Sequence, residues 1–235
     1  MEIQKMQDQI NMSECERLAQ LFSTYGRCLI IGCGLQFFQQ FIGINTIMYY
    51  GPDIIQETGI SSDSIDNETL LIILNVPLAF VNAIGSAVAV LLIEKMGRRF
   101  IMLRTLPFIV LSCMLVSLSM YLSNFGDSPS TQTFGNYLAM GSLILYLIFF
   151  SIGWSSTVWS VNTEIYPIHL VGSASSLATA TNWFSNFLVS TFFLSIMKNS
   201  DTGKVIAFLL LGGFGLLAFA FVFLLLPETK GRAIQ

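Results

Sequence analysis

Charge is scarce in this chain. Only 11% of its 235 residues are Asp, Glu, Lys or Arg, where an ordinary globular protein carries roughly 25%. With 54% hydrophobic and 13% aromatic residues, the composition excludes a soluble domain. There is a single histidine, His169, and no nucleophile stands near it in the sequence, so no enzyme machinery is evident. The four cysteines, at 15, 28, 33 and 113, follow no metal-ligand or redox spacing. Three fall in or at apolar stretches, where Cys acts as a small apolar residue. No cofactor is implied, and a net charge of −3 gives no reason to expect nucleic acid. The interiors of the apolar stretches contain no Asp, Glu, Lys, Arg or His, so this chain alone has no residue suited to a proton relay at membrane depth.

What is present is length and apolarity. Six stretches of about 20 residues read as transmembrane helices: 28–50, 70–93, 101–122, 136–161, 172–197 and 205–226. The predicted fold class is therefore an all-α membrane protein of six helices, one bundle over 28–226. A cytoplasmic amphipathic segment, 1–27, precedes it and a cytoplasmic tail, 227–235, follows. Residues 1–27 carry Glu2, Asp8, Glu14 and Glu16 without an apolar core, which is not the pattern of a signal peptide. With the N-terminus inside, Lys5, Arg17, Arg27, Lys95, Arg98, Arg99, Arg104, Lys230 and Arg232 lie on the inner side. Only Lys198 and Lys204 lie outside, as the excess of inward cations requires. Both termini are expected in the cytosol, and the plasma membrane is the expected location.

The apolar stretches keep amides. In the first, Gln36, Gln39, Gln40 and Gly43 share one helical face. Asn45 lies off that face on an ideal helix, and a bend at Gly43 would bring it back. Asn75 and Asn82 share a face of the second stretch, and Asn182 and Asn186 form an i, i+4 pair in the fifth beside Trp183. Trp154 and Trp159 stand in the fourth with Ser155, Ser156 and Thr157 between them. Amides can join helix to helix at about 0.6–2 kcal/mol each. Four within ten residues beside a glycine fit a ligand better. An amide donates and accepts at once, which suits a hydroxyl, and an aromatic face suits the C–H side of a ring. These residues describe a polyol pocket. On the inner side, Glu94-Lys95-Met96-Gly97-Arg98-Arg99 and Glu164-Ile165-Tyr166-Pro167 fit an Arg–carboxylate lock or a plain cationic anchor equally well.

Five segments in register, QQFIGINTIMYY at 39–50, EKMGRR at 94–99, WSVNTEIYP at 159–167, TNWFSNF at 181–187 and PETKGR at 227–232, resemble the sugar porter branch of the major facilitator superfamily. WSVNTEIYP and GINTIMYYGPDII look most like its myo-inositol transporters, many of them proton-coupled. The resemblance implies that Gln39, Gln40, Asn45, Asn82, Asn182 and Asn186 bind sugar in a central cavity lined by Trp159. It implies that Tyr49 and Tyr50 close the outer side and that Glu94, Arg98, Arg99 and Glu164 form an inner salt-bridge network. Two positions depart from the branch: Gly153–Val158 contains no proline, which predicts a stiffer helix there, and Val171 stands where an arginine is common.

The resemblance covers only the C-terminal half of a twelve-helix fold whose substrate sits between two halves. The expected partners are a small-molecule polyol or sugar, membrane lipid, and an N-terminal half on the same or a separate chain. The chain reads as a piece of a longer carrier, a half that assembles with another, or a decayed product. The expected function is alternating-access transport of a polyol, with myo-inositol first. The alternatives are a hexose facilitator or a non-transporting half-transporter or sugar sensor.

Overall fold

The computed structural model describes residues 12–57 and 67–231. These form nine α-helices: α1 (Glu14–Ser23), α2 (Gly26–Phe41), α3 (Ile44–Glu57), α4 (Asn67–Met96), α5 (Arg98–Phe125), α6 (Pro129–Phe150), α7 (Thr157–Glu164), α8 (Ile168–Asn199) and α9 (Asp201–Leu225). A π-turn, Ser151–Ser155, joins α6 to the short α7. Glu2, Lys5, Asp8 and Arg232 lie outside the described residues, as do the side chains of Tyr50 and Lys198.

Helix ends follow capping chemistry rather than lipid thickness. Ser13 and Glu16 exchange backbone and side-chain bonds in a capping box at α1. The bond from the Ser13 backbone holds the exposed Glu16 carboxyl below its ordinary range. Ser128 caps α6 with Pro129 in its first turn, and Ser200 caps α9 through the Gly203 N–H. These serines stand outside the apolar runs, so the helices extend several residues beyond the expected spans.

Among the described residues, five segments are long and apolar enough to cross a membrane. At 32 residues, or about 48 Å at 1.5 Å per residue, α8 is also long enough to cross. Its interior Ser, Thr and Asn dilute its hydropathy, including Ser173, Asn182, Ser185 and Asn186, all buried. That polarity faces protein. The bundle is built on α5, which packs against α6 and α9, with α2 against α8. Leu106, Ile109, Val116, Leu143, Tyr146, Trp154 and Phe208 are buried in one continuous core. By contrast α4 leaves Ile72, Val76, Phe80 and Leu91 exposed, as lipid or a further helical layer would require.

Two expected spans are interrupted. The first breaks where Gly43 takes φ +97°, in the left-handed region that residues with a Cβ avoid. Tyr146 Oη donates to the Ile42 carbonyl at 2.9 Å, which would otherwise be buried without a partner at the break. The fourth span was expected to be stiff for want of proline, yet it carries the π-turn. There the Ser151 hydroxyl shares its one hydrogen between the Leu147 carbonyl and, at 2.7 Å, Asn82 Oδ1, and Gly153 lies directly against Thr105. Back-bonding serine and close helix approach widen the turn without proline.

A Gly43→Ala chain is predicted to be less stable by about 1–2 kcal/mol for the left-handed residue alone. The new Cβ would also sit 2.6 Å from Leu211 Cδ1. Thermal unfolding in detergent should show a lowered Tm, and an unchanged Tm would contradict this role for the break.

Candidate functional site

The amides of α2 and α8 meet at the break. Asn182 Nδ2 donates to Gln36 Oε1 at 2.7 Å and to Gln39 Oε1 at 2.9 Å. Gln40 Nε2 donates to Asn182 Oδ1 at 2.9 Å. Because the chain turns at Gly43, Asn45 comes back over α2 and its Nδ2 donates to Gln40 Oε1 at 2.8 Å. Gln39 Nε2 reaches the π-turn, donating to the carbonyls of Trp154 at 3.0 Å and Ser155 at 3.2 Å. Gln36, Gln39, Gln40 and Asn182 are all buried. Gln36 Nε2 is buried with no hydrogen-bond partner, a free donor inside a knot of amides.

Other predicted site residues stand apart from this knot. Asn186 lies one turn beyond Asn182 and its Oδ1 accepts from Ser190 Oγ at 3.1 Å. Asn82 is held by Ser151 on the seam between α4 and the π-turn, where Ser86 Oγ and Ser155 Oγ also meet at 3.1 Å. Trp159, on α7, is 40% exposed, and Tyr49, on α3, is 54% exposed. Trp154 is fully buried and enters the cluster through its backbone carbonyl, a role no side-chain pattern announces. Asn162 was also not singled out: its Nδ2 donates to the Gly32 and Val158 carbonyls, tying α7 to α2.

A second cluster occupies the end of the bundle that carries the arginines. Arg98 places Nη2 2.6 Å and Nε 3.0 Å from Glu164 Oε1, and Thr229 Oγ1 donates to Glu164 Oε2 at 2.7 Å. The other carboxylate, Glu228, was missed by the sequence reasoning. It accepts the backbone N–H groups of Arg98 and Phe100 at the start of α5 and those of Thr229 and Lys230. An acid there satisfies orphan donors and complements the helix dipole. Arg99 Nη2 donates to the Phe223 carbonyl at 2.7 Å, while Glu94 is exposed outside these contacts. The signal for Glu228 lay within PETKGR, but its target is 130 residues away.

This arrangement can exchange hydroxyl for amide. Each hydrogen bond in the knot joins neutral groups, so a ligand hydroxyl can replace one at little net cost, with about 0.5–1.5 kcal/mol at stake per bond. The whole chain, residues 1–235, matches the family model described as "Sugar (and other) transporter". The chain belongs to the sugar transporter family.

Sugar transporter ERD6-like 8 of Arabidopsis thaliana is 34% identical over 209 residues, 89% of this chain and 42% of that protein. Probable inositol transporter 2 of the same plant is 29% identical, covering 90% and 48%. Facilitated trehalose transporter Tret1 of Anopheles gambiae is 31% identical, covering 88% and 25%. The chain thus spans a quarter to about half the length of these relatives. Among solved structures, the proton:xylose symporter XylE bound to 6-bromo-6-deoxy-D-glucose superposes with a TM-score of 0.74 at 25% identity, over 93% of this chain and 45% of that one. These are carriers of the major facilitator superfamily, not enzymes, and this bundle corresponds to half of that fold.

Glu228→Ala is predicted to destabilise the chain by about 1–2 kcal/mol, the usual loss for a removed N-terminal cap. Glu94→Ala should leave stability within about 0.5 kcal/mol, as surface substitutions do. Paired thermal melts in detergent test this, and equal shifts for the two variants would refute it.

Proposed function

We propose that this chain forms the C-terminal bundle of an alternating-access carrier for a polyol, with myo-inositol as first substrate. The observation that carries the reading is the buried knot of Gln36, Gln39, Gln40, Asn45 and Asn182 at the Gly43 break. Neutral donors and acceptors converge there from three helices, α2, α3 and α8, without a charge that would favour an ion. Broken helices at the midplane are how transporters of this kind present polar groups to substrate. A polyol hydroxyl would take over bonds from Gln39, Gln40, Asn45 and Asn182. Asn82, Asn186 and Trp159 would line the remainder once an N-terminal half closes the cavity.

Tyr49 and Tyr50 would close the outer side, and Arg98, Arg99, Glu94 and Glu164 the inner side. The Arg98–Glu164 contact would hold one state and part in the other. The excess of cations at the inner end supports cytoplasmic termini, with the plasma membrane as the proposed site. Proton coupling, if the carrier has it, would rest on the N-terminal half, since the amide knot contains no titratable side chain. A hexose facilitator is the second substrate reading, because the same amides bind any ring bearing hydroxyls. By itself, the isolated chain is expected not to transport.

In a carrier reassembled with an N-terminal half, Gln40→Ala is predicted to raise the half-saturation concentration for myo-inositol about tenfold. That is the loss of one hydrogen bond of about 1.4 kcal/mol, with the maximal rate kept. Wild-type saturation kinetics in the variant would sink the assignment. Unlabelled myo-inositol should compete for uptake better than glucose, and the reverse order would favour the hexose reading.

A further inference from the structure

A lone cation interrupts the outward stripe of α5. Phe100, Phe108, Leu111, Leu118, Tyr121 and Phe125 are exposed along it, the face a membrane helix turns to lipid. Arg104 sits within this stripe, exposed, one turn from Phe100 and one from Phe108. It is the seventh residue of α5, about 9 Å along the helix from its start, and the fourth residue of the apolar stretch 101–122. Its neighbours at this end have protein partners: Arg98 binds Glu164, and Arg99 binds the Phe223 carbonyl. Arg104 makes no hydrogen bond or ion pair among the described residues. Its guanidinium rests over the Phe100 ring, 5.0 Å from the centroid.

A guanidinium on the lipid face below the helix start is costly unless an anion at headgroup depth meets it. Its planar fork matches phosphate oxygens two at a time. The surface beyond it is apolar and continuous. Phe108 stacks on Phe149 of α6 at 4.3 Å and 9° between ring planes, joining the α5 stripe to exposed Ile144 and Ile148. A cation at one end and an apolar track toward mid-membrane give this surface the polarity of an amphiphile. We propose that Arg104 holds the phosphate of an anionic phospholipid whose acyl chains lie along Phe108, Leu111, Ile144 and Ile148.

The test is to purify the full chain in mild detergent from mixed phosphatidylcholine and phosphatidylglycerol membranes and quantify retained lipid. Wild type should hold phosphatidylglycerol several-fold above its bulk ratio. Arg104→Gln should fall to the bulk ratio, while Arg104→Lys keeps part of the enrichment because a point charge remains. For wild type, raising ionic strength to 1 M, where screening acts within about 3 Å, should reduce the enrichment several-fold. Enrichment that is absent in wild type, equal in Arg104→Gln, or indifferent to salt would overturn the proposal. Displacement of the lipid by glycerol 3-phosphate at millimolar concentration would also overturn it, since the site would then take a soluble phosphate ester rather than a lipid.

Discussion

The structure depends on one side chain being shared: the Asn182 amide, bonded to three glutamines of α2 at once. Polar groups in a membrane bundle must find partners within the protein, because lipid supplies none. Asn182 satisfies α2, and α2 in turn permits α8 to be polar on its buried face. The Gly43 break adds Asn45 to the same set, and the π-turn contributes two carbonyls to Gln39. Three deviations from a regular apolar helix therefore serve one cluster. Each alone would cost stability; together most of their polar groups satisfy one another, the buried Gln36 Nε2 and Trp154 Nε1 donors being exceptions.

Between that cluster and the arginine end runs α7, only eight residues long. Asn162 fastens it to α2, and Glu164 at its end carries Arg98 and Thr229. Just beyond it, Tyr166 is buried and donates to the Cys28 carbonyl at 3.0 Å. Burial raises that phenol above its ordinary range, so it remains a donor at any physiological pH. A displacement of Gln39 by a ligand would act on the carbonyls directly preceding α7, so the proposed substrate site and the arginine contact would share a short mechanical path.

Much of this was legible in the sequence. The amide face of 36–40 and the bend at Gly43 followed from spacing and from the one residue able to take positive φ, and the geometry places Asn45 where the bend would put it. The charged motifs left an Arg–carboxylate lock and a plain cationic anchor equally open, and the resemblance implied the former; Arg98 does pair with Glu164, while Arg99 bonds a carbonyl instead and Glu94 is exposed. Helix ends were less legible, because hydropathy reports lipid contact while Ser13, Ser128 and Ser200 set the ends through hydrogen bonds. The π-turn was not visible, because absence of proline says nothing about Ser151 bonding backward or Gly153 meeting Thr105. Glu228 and the Trp154 carbonyl were hidden for a different reason: each contact spans more than a hundred residues and has a backbone group on one side, an N–H for Glu228 and the carbonyl itself for Trp154, which leaves no side-chain pattern.

The central claim is that the Asn182 knot is a substrate site and not only a joint between helices. Equilibrium binding of radiolabelled myo-inositol to the reassembled carrier tests it most directly, in wild type, Asn186→Ala and Asn182→Ser. The account predicts saturable binding in wild type. Affinity should fall in both variants, by more in Asn182→Ser, which retains a hydroxyl to limit the loss of packing but removes the shared amide. Binding of wild-type affinity in a folded Asn182→Ser carrier would contradict the claim and leave the knot a structural fastening.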